Sequence, residues 1–266
     1  MAPQSLHQAM IADLETTMTI LITGGSRGIG RATAILAGSK GWNVCILFKN
    51  DAEAARAAVD AVDAAGGTGL CRKADVSQEA DLIDAFDYAE KILGPLHGVV
   101  INAGINAPAM PLAEMPAESL RRVFDTNVLG AYLCAREAAR RLPKTPKTAT
   151  RPTQSIVLLS SVAARMGAPG ECVDYAGSKG AIDTLTLGLS KELGPQRVRV
   201  NGVRPGIIDT EIHASVGDAG RAGRMGQQVP LGRPGGAEEV AEAIVWLLGE
   251  QASYVSGTTI DVTGGR

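Results

Sequence analysis

Tyr175 and Lys179 lie four residues apart in the segment DYAGSK, and Ser161 precedes Tyr175 by fourteen residues. Four residues is just over one helical turn, so in a helix the phenol and the ammonium share one face. Because a nearby cation favours phenolate, we expect Lys179 to lower the Tyr175 pKa below its usual value of about 10. Such a tyrosine exchanges a proton with an alcohol or a carbonyl near neutral pH. With the Ser161 hydroxyl holding the same oxygen, this group predicts alcohol oxidation or carbonyl reduction, provided that a hydride carrier binds nearby.

The elements that must position these residues form an alternating pattern of short apolar runs and longer helical stretches. The predicted strands are 18–23, 43–48, 68–72, 97–102, 155–160, 198–203 and 258–262. The predicted helices are 28–40, 52–65, 78–93, 117–142, 174–194 and 237–249. Several runs are apolar at every position, as strands buried on both faces must be. The pattern predicts an α/β fold with parallel strands, right-handed crossovers and helices on both faces of the sheet.

A glycine-rich segment, TGGSRGIG at 23–30, follows the first strand and opens the first helix. Gly24 permits a tight turn, Gly28 allows close approach of a pyrophosphate, and Gly30 allows the helix to pack near the sheet. The helix N-terminus supplies N–H groups and the positive end of a dipole to the phosphates. The segment therefore predicts a dinucleotide site that also includes Ser26, Arg27 and Ile29.

The spacing of this loop is G-x-x-x-G-x-G, and three further motifs follow at the ends of predicted strands. They are Asn102-Ala103-Gly104, the Ser161/Tyr175/Lys179 set and Pro205-Gly206. Together these motifs resemble the short-chain dehydrogenase/reductase family over about residues 18–266. The resemblance implies a single doubly wound Rossmann domain over 18–266, with a seven-stranded parallel sheet in the order 3-2-1-4-5-6-7. It also implies a homotetramer, or a dimer, that pairs through helices 117–142 and 174–194.

The resemblance implies roles for the matching positions. The cofactor cleft would be lined by Asn102, Ala103, Gly104, Pro205 and Gly206, with Asp75 and Val76 at the adenine and Ile208 and Thr210 at the nicotinamide amide. Asn127 would complete a tetrad with Ser161, Tyr175 and Lys179, and would hold a water that links Lys179 to solvent. Lys179 would also hold the nicotinamide ribose. Ser160 remains an alternative for the catalytic hydroxyl, although the family pattern favours Ser161.

The choice between NADP(H) and NAD(H) depends on the end of the second strand, where an acidic residue would bind the ribose 2′-OH. The strand ends Leu47-Phe48-Lys49-Asn50, with no acid before Asp51. Arg27 and Lys49 suit a 2′-phosphate, so NADP(H) is predicted over NAD(H). Alternatively, both cations are solvated, Asp51 reaches the ribose, and the protein is an NAD(H)-dependent alcohol or sugar dehydrogenase.

Composition excludes several other classes. The net charge of −2 and the 3% aromatic content argue against a nucleic-acid-binding protein. No run approaches the roughly 18 apolar residues that span a membrane. Four dispersed cysteines and three isolated histidines predict reduced thiols in a cytoplasmic protein and no catalytic metal. Residues 1–17 lack signal-peptide features and are predicted to be a disordered tail, unless translation begins at Met18.

The substrate and the partners are less constrained. A small-molecule carbonyl or alcohol is expected, as a 3-oxoacyl thioester, a sugar, a steroid or another small ketone or alcohol. Loop residues beyond the strand ends predict a partly apolar pocket that includes Pro108, Met110, Met166, Ala168 and Val173. A basic stretch is either a solvated surface or a docking patch for an acidic carrier protein; it comprises Arg136, Arg140, Arg141, Lys144, Lys147 and Arg151. A non-catalytic NADP-binding sensor is the remaining alternative, although such proteins are expected to lose the tyrosine or the lysine that this chain keeps.

Overall fold

Seven parallel strands form the sheet at the centre of the computed structural model, which describes residues 17–142, 154–211 and 220–266. The strands are β1 Thr19–Thr23, β2 Asn43–Phe48, β3 Thr68–Lys73, β4 Gly98–Ile101, β5 Gln154–Leu159, β6 Val198–Pro205 and β7 Thr259–Val262. Their order is β3-β2-β1-β4-β5-β6-β7, and every neighbouring pair is parallel. This confirms the predicted fold class and strand order. Because all strands run the same way, their carboxyl ends meet at one edge of the sheet.

Nine described helices connect these strands. They are α1 Gly28–Gly38, α2 Ala52–Ala65, α3 Glu79–Leu93, α4 Ala117–Phe124, α5 Gly130–Arg141, α6 Ala163–Met166, α7 Val173–Leu193, α8 Arg221–Gly226 and α9 Ala237–Leu248. Short 3₁₀ turns span Leu112–Glu114, Gly194–Gln196 and Glu250–Ala252. The sequence did not predict α6 and α8, which are too short to show helical periodicity. Among the described helices, none combines the length and the apolar character that crossing a membrane requires.

Two apolar layers, one on each face of the sheet, make up the core. Leu21 of β1 faces the layer covered by α3, α5 and α7, whereas Ile20 and Ile22 face the layer covered by α1, α2 and α9. Since alternate side chains of a strand point to opposite faces, β1 must be apolar throughout to serve both layers. All five residues of β1 are buried.

The predicted helix 117–142 is interrupted. A π-helical segment, Asp125–Leu129, separates α4 from α5. A single turn of π-helix inserts one extra residue and shifts the side chains that follow it, and such turns are frequent at functional sites. Asn127 lies in this turn, so the prediction of one continuous helix was wrong at the position that carries a candidate site residue.

The described part of the basic stretch is neutralised by acidic neighbours. Arg136, Arg140 and Arg141 all pair with carboxylates of α3 or α5. Arg141 Nη1, for example, lies 2.5 Å from Asp87 Oδ1 and 3.0 Å from Glu90 Oε2. These arginines brace two helices and do not form a free cationic patch. The other members of the stretch lie outside the described residues; they are Lys144, Lys147 and Arg151. Residues 1–16 of the predicted tail, 1–17, also lie outside them.

A buried arginine closes the carboxyl end of α9. Arg199 of β6 donates to the carbonyl oxygens of Leu247 at 2.5 Å, Leu248 at 3.0 Å and Gly249 at 3.1 Å. Ser155 Oγ of β5 donates to the same Leu247 carbonyl at 3.0 Å. The last carbonyls of a helix have no partner within the helix, and a cation suits that end of its dipole. Burial lowers the pKa of Arg199 to about 10, so the cost of desolvating the charge offsets part of this stabilisation.

We expect Arg199→Met to destabilise the protein more than Ser155→Ala does. The first change leaves the Leu248 and Gly249 carbonyls without their donor and should cost roughly 3 kcal/mol, whereas the second removes one neutral hydrogen bond worth about 1 kcal/mol. Thermal unfolding of both variants, followed by circular dichroism, checks the order. Equal melting temperatures for wild type and Arg199→Met would contradict a capping role.

Candidate active site

A cavity of about 700 Å³ opens at the edge of the sheet where the strands end. This volume falls in the usual range for small-molecule sites. Two predicted site residues, Gly30 and Asn127, lie outside the lining. All the other predicted site residues line the cavity: Gly24, Ser26, Arg27, Gly28, Ile29, Lys49, Asp75, Val76, Asn102, Ala103, Gly104, Ser161, Tyr175, Lys179, Pro205, Gly206, Ile208 and Thr210.

The glycine loop forms a cradle that side chains would fill. Gly24 and Gly28 have φ values of +65° and +51°, a region that favours glycine. A Cβ at Gly30 would lie 2.4 Å from the Gly24 carbonyl oxygen, so α1 packs against the loop only because that residue is glycine. The N-terminal turn of α1 therefore presents its backbone N–H groups to the cavity, as a phosphate group requires.

Two polar residues lock this loop to the end of β4. Asn102 Nδ2 donates to the carbonyl oxygens of Thr23 and Gly24, each at 2.9 Å. Thr23 Oγ1 accepts from the backbone N–H groups of Asn102 at 3.0 Å and Ala103 at 2.9 Å. Thr23 begins the glycine segment, but the sequence analysis gave it no role. The available signal was its position, because a threonine hydroxyl at a strand end can accept hydrogen bonds from backbone N–H groups that lack another partner.

The two candidate serines have different partners. Ser161 and Tyr175 both line the cavity, and the nearby Ser161 hydroxyl lowers the pKa of the phenol; Ser161 Oγ accepts from the Ala163 N–H at 3.2 Å. Ser160 Oγ instead donates to the Lys179 carbonyl oxygen of α7, at 3.1 Å. The structure therefore brings Ser161 to the phenol and turns Ser160 towards the helix backbone.

The pKa of Tyr175 is raised, to about 12, and not lowered as the sequence analysis predicted. Burial disfavours the phenolate and is the largest cause, whereas the hydrogen bond from Ser161 lowers the pKa and the Cys172 thiol raises it. Lys179 Nζ lies 5.7 Å from the centre of the Tyr175 ring. At that distance the ammonium does not overcome the desolvation of the phenol, which is why the predicted direction was wrong.

Lys179 is directed to the backbone of β5. Its ammonium donates to the Leu159 carbonyl oxygen at 2.7 Å, and the residue is only 5% exposed. Burial lowers the pKa of Lys179 to about 8, while the charge of Asp183 raises it. The protonated and neutral amine are thus close in free energy near neutral pH.

Asn127 links the π turn to the loop after β4. Its Nδ2 donates to the Ile105 carbonyl oxygen at 2.9 Å and to Ser178 Oγ at 3.0 Å, and its Oδ1 accepts from the Ile105 N–H at 2.8 Å. A Cβ at Gly104 would lie 3.3 Å from Lys179 Nζ and 3.4 Å from Asn127 Oδ1. The Asn127 side chain and the Lys179 ammonium therefore both lie next to Gly104. The Asn127 amide group is bonded to protein groups.

The end of β2 holds the groups that would discriminate between cofactors. Lys49 Nζ lies 2.6 Å from Asp75 Oδ2, so the two predicted contacts pair with each other. Asp51 Oδ1 accepts from the Ala54 N–H at 2.9 Å and caps α2. Arg27 is exposed at the mouth of the cavity and makes no ion pair with any described residue. Of the acids and cations considered from sequence, Arg27 is thus the one whose charge is uncompensated.

Residues of α6, α8 and the loop before α7 also line the cavity. Met166 and Ala168 do so, as predicted. Cys172, which is 7% exposed, lines it too, as do Glu171 and Arg221, which form an ion pair. The predicted Pro108, Met110 and Val173 do not line it. Glu171 and Arg221 were not singled out from the sequence because they are fifty residues apart and share no motif.

Comparisons with known proteins agree with this architecture. The sequence model of the family described as "Enoyl-(Acyl carrier protein) reductase" matches residues 24–266. The chain is 47% identical to uncharacterized oxidoreductase YgfF of Escherichia coli strain K12, over 92% of this chain and 98% of that protein. It is 36% identical to 3beta-hydroxysteroid dehydrogenase 1 of Eggerthella lenta, over 93% of this chain and 92% of that protein.

A solved structure supports the same assignment. A short-chain dehydrogenase/reductase mutant of Serratia marcescens superposes with a TM-score of 0.84 and 33% sequence identity, covering 93% of this chain and 97% of that one. The match therefore extends over the whole sheet and the cavity at its edge. The chain is an oxidoreductase that belongs to the short-chain dehydrogenase/reductase family.

Proposed function

We propose that the protein interconverts a carbonyl and a secondary alcohol, using NADP(H) as the hydride carrier and Tyr175 as the general acid and base. The observation that carries this proposal is that Ser161, Tyr175 and Lys179 line one cavity together, with Tyr175 and Lys179 one turn apart on α7. A phenol in that position can exchange a proton with a substrate oxygen, while Ser161 offers a second hydrogen bond to the same oxygen.

The residues of the cavity fit a dinucleotide. The cradle formed by Gly24, Gly28 and Gly30 leaves room for a pyrophosphate, and the α1 N-terminus favours its negative charge. Asp75, Val76, Ile208 and Thr210 also line the cavity; we assign the first two to the adenosine and the last two to the nicotinamide amide. When bound, the cofactor supplies hydride to a carbonyl carbon or accepts it from an alcohol.

The protein's own groups manage the proton. In reduction, Tyr175 donates its proton to the carbonyl oxygen, and Ser161 stabilises the negative charge that develops there. In oxidation, the same tyrosine must first lose its proton to act as the base. Lys179, whose ammonium stands 5.7 Å from the Tyr175 ring, stabilises the phenolate and offers donors to the nicotinamide ribose. Asn127 fixes the loop on which Gly104 stands, beside that ammonium.

We expect Tyr175→Phe to lower kcat for both directions by about 10²–10⁴-fold, because the general acid and base is lost. Binding of NADPH, measured by fluorescence titration, should change little. Tyr254→Phe is the matched control, since Tyr254 is fully exposed. Wild-type kcat in Tyr175→Phe with a reactive diketone would show that another group moves the proton.

The raised Tyr175 pKa also sets different pH profiles for the two directions. With a pKa of about 12, the phenol is protonated near neutral pH, so reduction should not depend on the Tyr175 titration there. Oxidation requires the phenolate and the charged Lys179 beside it, so its kcat/KM should rise about tenfold per pH unit up to about pH 8, the pKa of Lys179, and then level off. Initial rates in both directions between pH 6 and about 9.5 check this; a flat oxidation profile would contradict it.

The charges at the end of β2 support NADP(H) over NAD(H). An acid that binds the ribose hydroxyls would repel a 2′-phosphate, but Asp51 caps α2 and the Asp75 charge is paired with Lys49. Arg27 pairs with no acid among the described residues, so it can form charge-assisted hydrogen bonds with a 2′-phosphate.

We expect Arg27→Ala to raise the KM for NADP(H) roughly 10–100-fold, as the loss of a charge-assisted hydrogen bond implies, without raising the KM for NAD(H). Lys49→Ala should have a smaller effect, because Asp75 already compensates the Lys49 charge. Initial-rate kinetics of both variants with both cofactors provide the measurement. An unchanged preference for NADP(H) in Arg27→Ala would remove Arg27 from the site.

The substrate proposed is a small ketone or secondary alcohol on a partly apolar skeleton. Met166, Ala168 and Cys172 give the cavity apolar walls, and the lining residues Glu171 and Arg221 neutralise each other in an ion pair. The relative from Eggerthella lenta is named as a dehydrogenase of a hydroxysteroid, which is a secondary alcohol on such a skeleton. A panel of diketones, 3-oxoacyl analogues, steroids and sugars with both cofactors distinguishes the classes.

We also propose that the protein is a homo-oligomer, a tetramer or a dimer, of a reducing compartment such as the cytoplasm. Large apolar side chains are exposed along α4, the π turn, α5 and α7: Phe124, Leu129, Tyr132 and Leu187. Helices α4 and α5 both contact α7, so these residues belong to one helical layer that a second copy would cover. The four cysteines are free, which suits reducing conditions.

We expect Leu187→Asp to reduce the mass of the particle in solution, because a buried carboxylate at the contact is unfavourable. Ile92→Asp is the control, since Ile92 is similarly exposed but lies on α3, which carries none of the exposed apolar residues assigned to the contact. Light scattering after size-exclusion chromatography measures both. The same mass for wild type and Leu187→Asp would place the contact elsewhere.

A further inference from the structure

A row of charged side chains with alternating sign leads from the protein surface to the helical turn that follows Lys179. Arg165 Nη1 lies 2.7 Å from Asp261 Oδ2, and Asp261 Oδ1 lies 3.1 Å from Arg204 Nη1. Arg204 Nε in turn lies 3.0 Å from Asp183 Oδ2. Arg165 is largely exposed, whereas Arg204 and Asp183 are mostly covered. This row of charged side chains therefore extends from the solvent-exposed Arg165 to Asp183 inside the protein.

The fold brings these residues together from four elements. Arg204 and Asp261 are register partners on the neighbouring strands β6 and β7. Arg165 is on α6, which begins two residues after Ser161. Asp183 follows Lys179 by four residues on α7, and side chains four apart share a helix face. The row of charged side chains thus connects the sheet to the helix that carries Tyr175 and Lys179.

The charge of Asp183 is only partly used by Arg204. Its Oδ1 is buried and accepts no hydrogen bond from any described residue. Lys179, one turn away, is 5% exposed, so little water screens the interaction between the two groups. Among the described residues, Asp183 is the charged group whose field acts on Lys179, in the direction that favours the ammonium. The other groups about Lys179 are the Tyr175 phenol and the Leu159 carbonyl.

We propose that Asp183 is a positioning residue that keeps Lys179 in its charged form, and that Arg204 limits this effect by compensating part of the Asp183 charge. The inference rests on the proposed role of Lys179, because a charged Lys179 is what stabilises the phenolate of Tyr175. Arg204 is itself shared between Asp183 and Asp261, so Asp261 sets how much of its charge reaches Asp183.

A purely structural brace between β6, β7 and α7 would use the same contacts, so the experiment must read the charge state of Lys179. Asp183→Asn removes the charge but keeps an oxygen that can accept from Arg204 Nε. Competitive acetylation of the wild type and the variant across pH 6–11, with the modified Lys179 peptide quantified by mass spectrometry, gives the midpoint of the Lys179 titration independently of turnover.

We expect the Lys179 midpoint to fall by about one pH unit in Asp183→Asn, as the loss of a partly screened charge one helical turn away implies. Arg204→Met should move it in the opposite direction, because Asp183 is then uncompensated. Asp84→Asn is the matched control: it breaks an exposed pair with Arg72, far from the cavity, and should leave the midpoint unchanged. Asp183→Glu should restore the wild-type midpoint, at least in part.

An unchanged or raised Lys179 midpoint in Asp183→Asn would overturn the inference. This holds for any result with Arg204→Met, including a failure of that variant to fold. The pH profile of kcat/KM for carbonyl reduction is the second measurement, and its decline at alkaline pH should follow the Lys179 midpoint to lower pH. If the midpoint moves but this profile does not, the inference on Asp183 stands and the proposed role of Lys179 fails. The two results therefore separate the inference from the function on which it rests.

Discussion

The burial of one ammonium group is the constraint on which the arrangement of this site depends. A buried charge is costly unless polar groups of the protein replace its water, and an ammonium has three donors to satisfy. The Leu159 carbonyl at the end of β5 takes one of them. To reach it, Lys179 must lie at the inner face of α7, where Gly104 leaves the space for its head group. The same placement brings Tyr175, one turn earlier, to the wall of the cavity.

A second constraint is the close approach of the glycine loop to the end of β4. Asn102 holds two carbonyl oxygens of that loop, and Gly30 permits a contact that any Cβ would block. Hydrogen bonds also connect the π turn to the segment after β4, because Asn127 binds the backbone N–H and carbonyl of Ile105. The glycine loop, β4 and the π turn are thus joined one to the next. The nucleotide end and the proton-handling end of the cavity therefore share one rigid support, as a site that must align hydride and proton transfer requires.

The sequence was sufficient for whatever depends on local pattern. Short runs rich in Val and Ile located all seven strands. The glycine segment and the Tyr175/Lys179 spacing located part of the cavity lining, and the family resemblance supplied most of the other predicted lining residues. It was insufficient where tertiary contacts decide. The π turn at Asn127 breaks a segment with good helical periodicity, and the partners of Ser160 and Ser161 depend on how β5 meets α7. The Glu171–Arg221 and Asp183–Arg204 pairs join distant segments and have no sequence signature.

The direction of the Tyr175 pKa shows why residue types alone were not enough. Spacing suggested that attraction between an ammonium and a phenolate would dominate, but burial raises the pKa of Tyr175 and lowers that of Lys179. Both shifts have one cause, since a site with little water disfavours every charge placed in it. The chain opposes this with one donor to the phenol, Ser161, and one carboxylate near the amine, Asp183. Because desolvation still prevails at Tyr175, the site at neutral pH holds a protonated phenol, which is the form that can donate a proton to a carbonyl oxygen.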